Sequence, residues 1–222
     1  MSKVFLGRAI FLRHGQTEYT DVFPDLTEQG METIKRSARS IKPIAEEHQR
    51  ISIVASPLAR AQGSAAIIAN ELEYKGEIRE EPAITAAILK KILQAKALFN
   101  EYMSNGGMRA LAIAYGIDPR YENGQVIEPR SRIRKRFFEY FTNMIRSLVT
   151  TAQLPPCLIH VSHYEVLYHF VERLFELDYE KDEPLDYGEI IVISIFDIGI
   201  KNTVEIEVTF RKKTIKDISF RI

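Results

Sequence analysis

Three short apolar runs, each closed by a residue able to hold an anion, dominate the pattern of the chain. Ala9-Ile-Phe-Leu12 reads as a buried strand stopped by Arg13-His14-Gly15. Ile51-Ser-Ile-Val-Ala55 reads as a second strand, with Ser56 as N-cap, Pro57 as first helical residue and Arg60 in the first turn of the helix that follows. Cys157 to Val161 is a third, ending at His163 where another helix begins. Between the first two, Thr27 caps a helix in which Met31, Ile34, Ala38 and Ile41 recur at helical spacing until Pro43 ends it. After Ser56, the positions Leu58, Ala61, Ala65, Ile68 and Leu72 form one apolar stripe suited to packing on a sheet.

The middle of the chain is helical in pattern. Glu77 to Glu81 reads as an edge strand. A long helix is expected from Pro82 to Met103, stopped by Asn105-Gly106-Gly107, then a second piece from Met108 to Tyr115 and a loop over 117–128. Pro129 to Thr150 is amphipathic, with Ile133, Phe137, Phe141, Met144 and Leu148 on one face. Leu154-Pro155-Pro156 returns the chain to the sheet, and a helix follows from Tyr164 to Phe175. Asp186-Tyr187-Gly188 turns into Ile190–Phe196, whose continuous apolar character suits a central strand. Thr203–Phe210 and Thr214–Arg221 alternate about Lys212-Lys213 and read as a terminal hairpin. The order of elements predicts an α/β fold: a single three-layer α/β/α domain over residues 1–222, its mixed, mostly parallel sheet covered by helices on both faces. In open α/β sheets the carboxyl ends of the strands converge on one crevice. Arg13, His14, Arg60 and His163 are therefore expected in one phosphate-sized pocket.

Composition narrows the partners. The chain has 222 residues, with Lys plus Arg (30) equal to Asp plus Glu (30), so no global charge favours nucleic acid or a membrane surface. A single cysteine, Cys157, excludes an internal disulfide framework and fits a reducing compartment. The opening residues hold no apolar leader before Arg8, and no apolar run approaches the ~20 residues that span a bilayer. These features predict a soluble cytoplasmic protein.

RHGQTE at 13–18, SPLARAQGSA at 56–65 and VSH at 161–163 resemble, in order and spacing, the motifs of the histidine phosphatase superfamily, also called the phosphoglycerate-mutase-like family. The resemblance extends over roughly residues 4 to 200 and points to the phosphatase branch. It implies His14 as nucleophile, with Arg13, Arg60 and His163 completing the phosphate pocket, and substrate contacts from Gly15, Thr17 and Thr20. It also implies that the helical block at about 82–150 is the variable cap that walls the pocket. The chemistry suits these residue types. A phosphomonoester dianion repels nucleophiles until its oxygens are neutralised, which forked guanidinium donors do well. A neutral imidazole can then displace the alcohol in line and become a phosphohistidine, which water hydrolyses. With that charge supplied by side chains, no metal or other cofactor is expected. The H-x-x-H of His160 and His163 is a poor zinc set, since strand geometry puts the two on opposite faces.

The chain departs from the family pattern in three places. Ala86 stands where many members carry the acid that protonates the leaving group; Glu80, Glu81 and Glu165 are the candidates to replace it. Members without that acid act on P–N bonds, so phosphohistidine joins phosphomonoesters as a substrate class. Thr20 stands where mutase-like members often have Asn, and Tyr164 where Gly is frequent. The expected partner is a phosphorylated small molecule or phosphoprotein. The basic run Arg130, Arg132, Arg134, Lys135, Arg136, with Arg109 and Arg120, offers candidates for the distal part of an anionic substrate. Two rivals remain: a phosphoglycerate-mutase-type isomerase, and a non-catalytic phosphate-binding module lacking the acid.

Overall fold

The computed structural model describes residues 3–18, 25–117, 119–151, 154–178 and 181–222. Strand β1 (Val4–Arg13) lies at the middle of a seven-stranded sheet whose other strands are β2 (Ile51–Ala55), β3 (Ile78–Glu80), β4 (Cys157–Ser162), β5 (Ile190–Ile200), β6 (Thr203–Phe210) and β7 (Lys213–Arg221). The order is β3-β2-β4-β1-β5-β6-β7. Pairing is parallel from β3 to β1 and antiparallel from β1 outward to β7. Ala9 to Leu12 have no exposed surface, as expected of a strand flanked by neighbours and covered on both faces.

Helices α1 (Glu28–Glu46) and α2 (Ala59–Glu71) cover one face. There Ile10, Leu12, Ile53, Ile159 and Val161 pack with Ile34, Ala38, Ile41, Ala65 and Ile68. On the other face α5 (Arg130–Thr151) and α6 (Tyr164–Phe175) bury Phe137, Phe141, Leu167 and Phe170 against Phe11, Val54 and Ile193. The α/β fold of three layers with a mixed sheet is the one the element pattern predicts. Among the described residues, no helix is long and apolar enough to cross a membrane.

Four local expectations are corrected. Helix α1 runs through Pro43 to Glu46, because Ile41 and Ala45 on either side are wholly buried and packing outweighs the lost backbone donor. Helix α2 starts at Ala59 with Leu58 in the N-cap position, not at Pro57; the Ser56 hydroxyl accepts from Leu58 N but is also committed elsewhere. No helix begins at Pro82 and runs to Met103. Residues Pro82–Ile84 form one 3₁₀ turn, and α3 spans Ile92–Ile117, broken at Gly106-Gly107 where Gly107 has φ 64°. The cause lies in α5: Arg136 takes the carbonyls of Ala83, Thr85 and Ala86, which an α-helix would have used itself. A four-residue helix α4 (Pro119–Glu122) lies within the segment read as a loop.

Candidate active site

The strand register brings the three motif ends to one level. Arg13 pairs with Ser162, and Ala55 with Val161. His14 N donates to Ser162 O at 3.0 Å and Ser56 N to Val161 O at 3.0 Å, so the chain leaves all three strands side by side. The turn after β1 presses on the start of α1. A Cβ on Gly15 would lie 2.7 Å from Gly30 O, and one on Gly30 would lie 2.2 Å from Gln16 O. Only glycines permit that approach. Gly15 N then donates to Ser64 Oγ at 3.0 Å, tying the turn to α2.

His14 is 3% exposed. Its Nδ1 lies 2.7 Å from Gly15 O, a partner that can only accept, so Nδ1 carries the proton and Nε2 the lone pair. Arg60 Nε donates to that Nε2 at 3.1 Å. Burial foremost, then the charges of Arg60 and Arg13, hold the His14 pKa well below the usual imidazole range. His14 is thus a neutral imidazole near pH 7, with its outward nitrogen unprotonated.

Arg13 is buried, with one terminal nitrogen donating to Leu185 O at 2.6 Å. Its guanidinium lies 3.7 Å from the ring centroid of Tyr187 and 5.4 Å from that of Tyr164. The loop before β5 grips the same residue by its backbone: Gly188 N donates to Arg13 O at 2.9 Å. His163 has no exposed surface, and its ring centroid is 5.0 Å from that of His14. Its Nε2 meets Ser56 Oγ at 2.7 Å, while its Nδ1 is buried without a partner. Burial, then His14, Arg60, Arg13 and Arg136, push its pKa well below the usual range.

The structure therefore gathers Arg13, His14, Gly15, Arg60 and His163. Thr17 is 6% exposed, its Oγ1 buried with no hydrogen-bond partner, and its backbone bridges to Leu26. Thr20 lies outside the described residues. Tyr164 turns its ring onto Tyr168, at 4.9 Å, and beside Arg13. His160 is held apart from His163, stacked on Phe11 at 4.3 Å and edge-on to Tyr140.

Several distal cation candidates have acidic partners instead. Arg109 pairs with Glu183, Arg120 with Glu101, Arg130 with Glu122, and Arg136 with buried Glu128. Ala86 is buried where the motif pattern leads to the expectation of an acid. Of the carboxylates offered in its place, Glu81 accepts from Ala83 N at 2.8 Å, three residues short of Ala86, whereas Glu165 accepts from Ala87 N at 2.9 Å, next to Ala86. Sequence reasoning gave Ser56 only a capping part and gave Ser64 and Tyr187 none. Tyr187 carries no motif; its Asp-Tyr-Gly turn signals a bend and nothing about Arg13.

Two imidazoles and two guanidiniums thus meet where adjacent parallel strands end, an arrangement able to hold a small anion. Residues 9–85, which hold the first two motifs and the strand-turn-helix units that carry them, match the model of the histidine phosphatase superfamily (branch 1). No curated protein matches the chain in sequence. Across solved structures the fold is similar to a mycobacterial hydrolase (hydrolase 1; 16% identity, 96% of this chain and 100% of that one, TM-score 0.62). It is similar also to a mycobacterial glucosyl-3-phosphoglycerate phosphatase (16% identity, 92% and 97% covered, TM-score 0.60). A third is the Entamoeba histolytica phosphoserine phosphatase in complex with 3-phosphoglyceric acid (16% identity, 84% and 90% covered, TM-score 0.51). At these identities the likeness speaks for the fold.

Proposed function

We propose that this chain is a phosphatase that works through a covalent phosphohistidine on His14. The observation that carries the reading is the state of His14: Nδ1–H is fixed on Gly15 O, leaving the Nε2 lone pair inside a cationic cradle. Arg13 and Arg60 neutralise the phosphoryl oxygens. His14 Nε2 attacks phosphorus in line, the N–P bond forms as the bond to the leaving oxygen breaks, and that oxygen leaves as the alcohol by taking a proton from the Glu165 carboxylic acid beside Ala87 N or from a solvent water. Water then attacks the same phosphorus, returns one proton to that group, breaks the N–P bond, and releases phosphate and neutral His14. Since the guanidiniums supply the positive charge, the steps need no metal ion.

Substrates are phosphomonoesters of small molecules, in keeping with the names of two structural neighbours, a glucosyl-3-phosphoglycerate phosphatase and a phosphoserine phosphatase. Ala86 favours a second class alongside them: a P–N substrate such as phosphohistidine, including that of a phosphoprotein, for which the loss of a dedicated carboxylic acid costs less. The helices between β3 and β4 serve as the cap.

Rapid alkaline quench of the protein with a labelled, activated phosphomonoester tests the reading. Acid-labile label on the wild type, none on His14→Asn, and release of free phosphate are the expected results. Transfer of the label to a second hydroxyl of a phosphoglycerate makes the protein a mutase, and stoichiometric binding without labelling makes it a binding module.

A further inference from the structure

We infer that Ser56 is a positioning residue that holds His163 as its Nδ1–H tautomer, so that a neutral His163 donates a hydrogen bond to the phosphoryl group; this rests on the phosphatase reading above. Ser56 and His163 both have no exposed surface. The Ser56 hydroxyl has two acceptors in reach, His163 Nε2 at 2.7 Å and Thr85 Oγ1 at 3.3 Å. It owns a single proton. The first distance is that of a good hydrogen bond, whereas the second exceeds the usual O–H···O range. Leu58 N donates to the same oxygen at 3.3 Å, directing the proton away from the backbone. With the proton on the short contact, Nε2 is an acceptor and the ring's own proton sits on Nδ1. That is the nitrogen left buried without a partner beside His14.

The opposite tautomer would present a bare Nδ1 lone pair to phosphoryl oxygens and would repel them until the ring gained a second proton. The surroundings resist that gain. Arg13 and His14 face His163 from β1, Arg60 from α2 and Arg136 from α5, and all oppose a further positive charge, as burial does. Thr85, the competing acceptor, is held in place because its carbonyl accepts from Arg136 at 2.7 Å. The two histidines thus share one tautomer and use opposite ends of it. His14 offers its unprotonated Nε2, and His163 its Nδ1–H.

Nitrogen NMR on protein labelled at histidine, near pH 7, tests this directly, with the His163 signals assigned by their loss in His163→Asn. A protonated Nδ1 and a bare, hydrogen-bonded Nε2 are expected; an Nε2–H ring or an imidazolium overturns the inference. In Ser56→Ala the lock is gone. We expect kcat/KM for a phosphomonoester to fall by up to about 100-fold at pH 8, the scale of losing one donor to the reacting oxygens. Ser56→Thr, which keeps the hydroxyl, should restore both the tautomer and the rate. An unchanged tautomer in Ser56→Ala, or a loss that Ser56→Thr does not restore, reduces Ser56 to a packing residue and sinks the proposal. Failure of the wild type to label or hydrolyse would instead sink the phosphatase reading, and the NMR result would stand apart from it.

Discussion

For the proposed reaction, Glu165 is the candidate acid for the leaving group. Its carboxylate accepts from Ala87 N at 2.9 Å, so it stands next to the position that Ala86 leaves without an acid. Glu81, closer in sequence to the expected acid, is bound to Ala83 N instead. General acid assistance contributes about 10²–10⁴-fold, most for leaving groups that depart badly as anions. Glu165→Gln is therefore expected to slow an alkyl phosphate by about 10²-fold and an activated aryl phosphate far less, while Glu81→Gln changes neither. Equal slowing of both substrates by Glu165→Gln, or no slowing, removes Glu165 from the role. At this scale the sequence made Arg13, His14 and His163 legible because they close apolar runs, and Arg60 through the motif Ser56-Pro-Leu-Ala-Arg-Ala61. It hid Tyr187 and the contact between Ser56 and His163, since pairings across the fold leave no local periodicity.

Helix α5 reaches the site through one side chain. Arg136 donates to both carboxylate oxygens of Glu128, which is 2% exposed, and to three carbonyls between Ala83 and Ala86. The pair latches the turn that carries Thr85 to the parallel strands. Arg136→Met leaves a buried carboxylate uncompensated, and the cost of such a break is about 3–5 kcal/mol. We expect urea unfolding to report that loss, and Arg136→Met with Glu128→Gln to recover part of it; a loss under 1 kcal/mol would show that the latch carries little. The same latch explains the largest error of element assignment. From Pro82 onward the composition favours helix, but local propensity cannot register that an arginine some fifty positions later will claim the carbonyls. The strands and the helices α2, α5 and α6 were legible within a few residues, because their apolar faces follow the sheet they cover.

Taken whole, the molecule buries several imidazoles in neutral form. Burial pushes His160 down to about 3, and His14 and His163 are lowered as well. Below the ordinary value of ~6.5 the unfolded chain takes up protons that the folded chain refuses, so stability falls as pH falls. For His160 this window runs from about 6.5 down to about 3. Each such group steepens the decline by about 1.4 kcal/mol per pH unit within its window. His160→Phe, which keeps an aromatic ring between Phe11 and Tyr140, should flatten the fall of stability between pH 6 and pH 4; an unchanged slope would mean that His160 titrates normally in the fold. The placement of these groups on a half-parallel, half-antiparallel sheet also divides the labour. The parallel half carries Arg13, His14 and His163 at its strand ends, and the turn into the antiparallel half brings Tyr187 onto Arg13. Arg60 gives its Nε–H to His14 Nε2 at 3.1 Å, so the nucleophile proposed above wears a cap at rest. Under that proposal an arriving dianion gives the guanidinium another acceptor, and seating the substrate bares the electron pair.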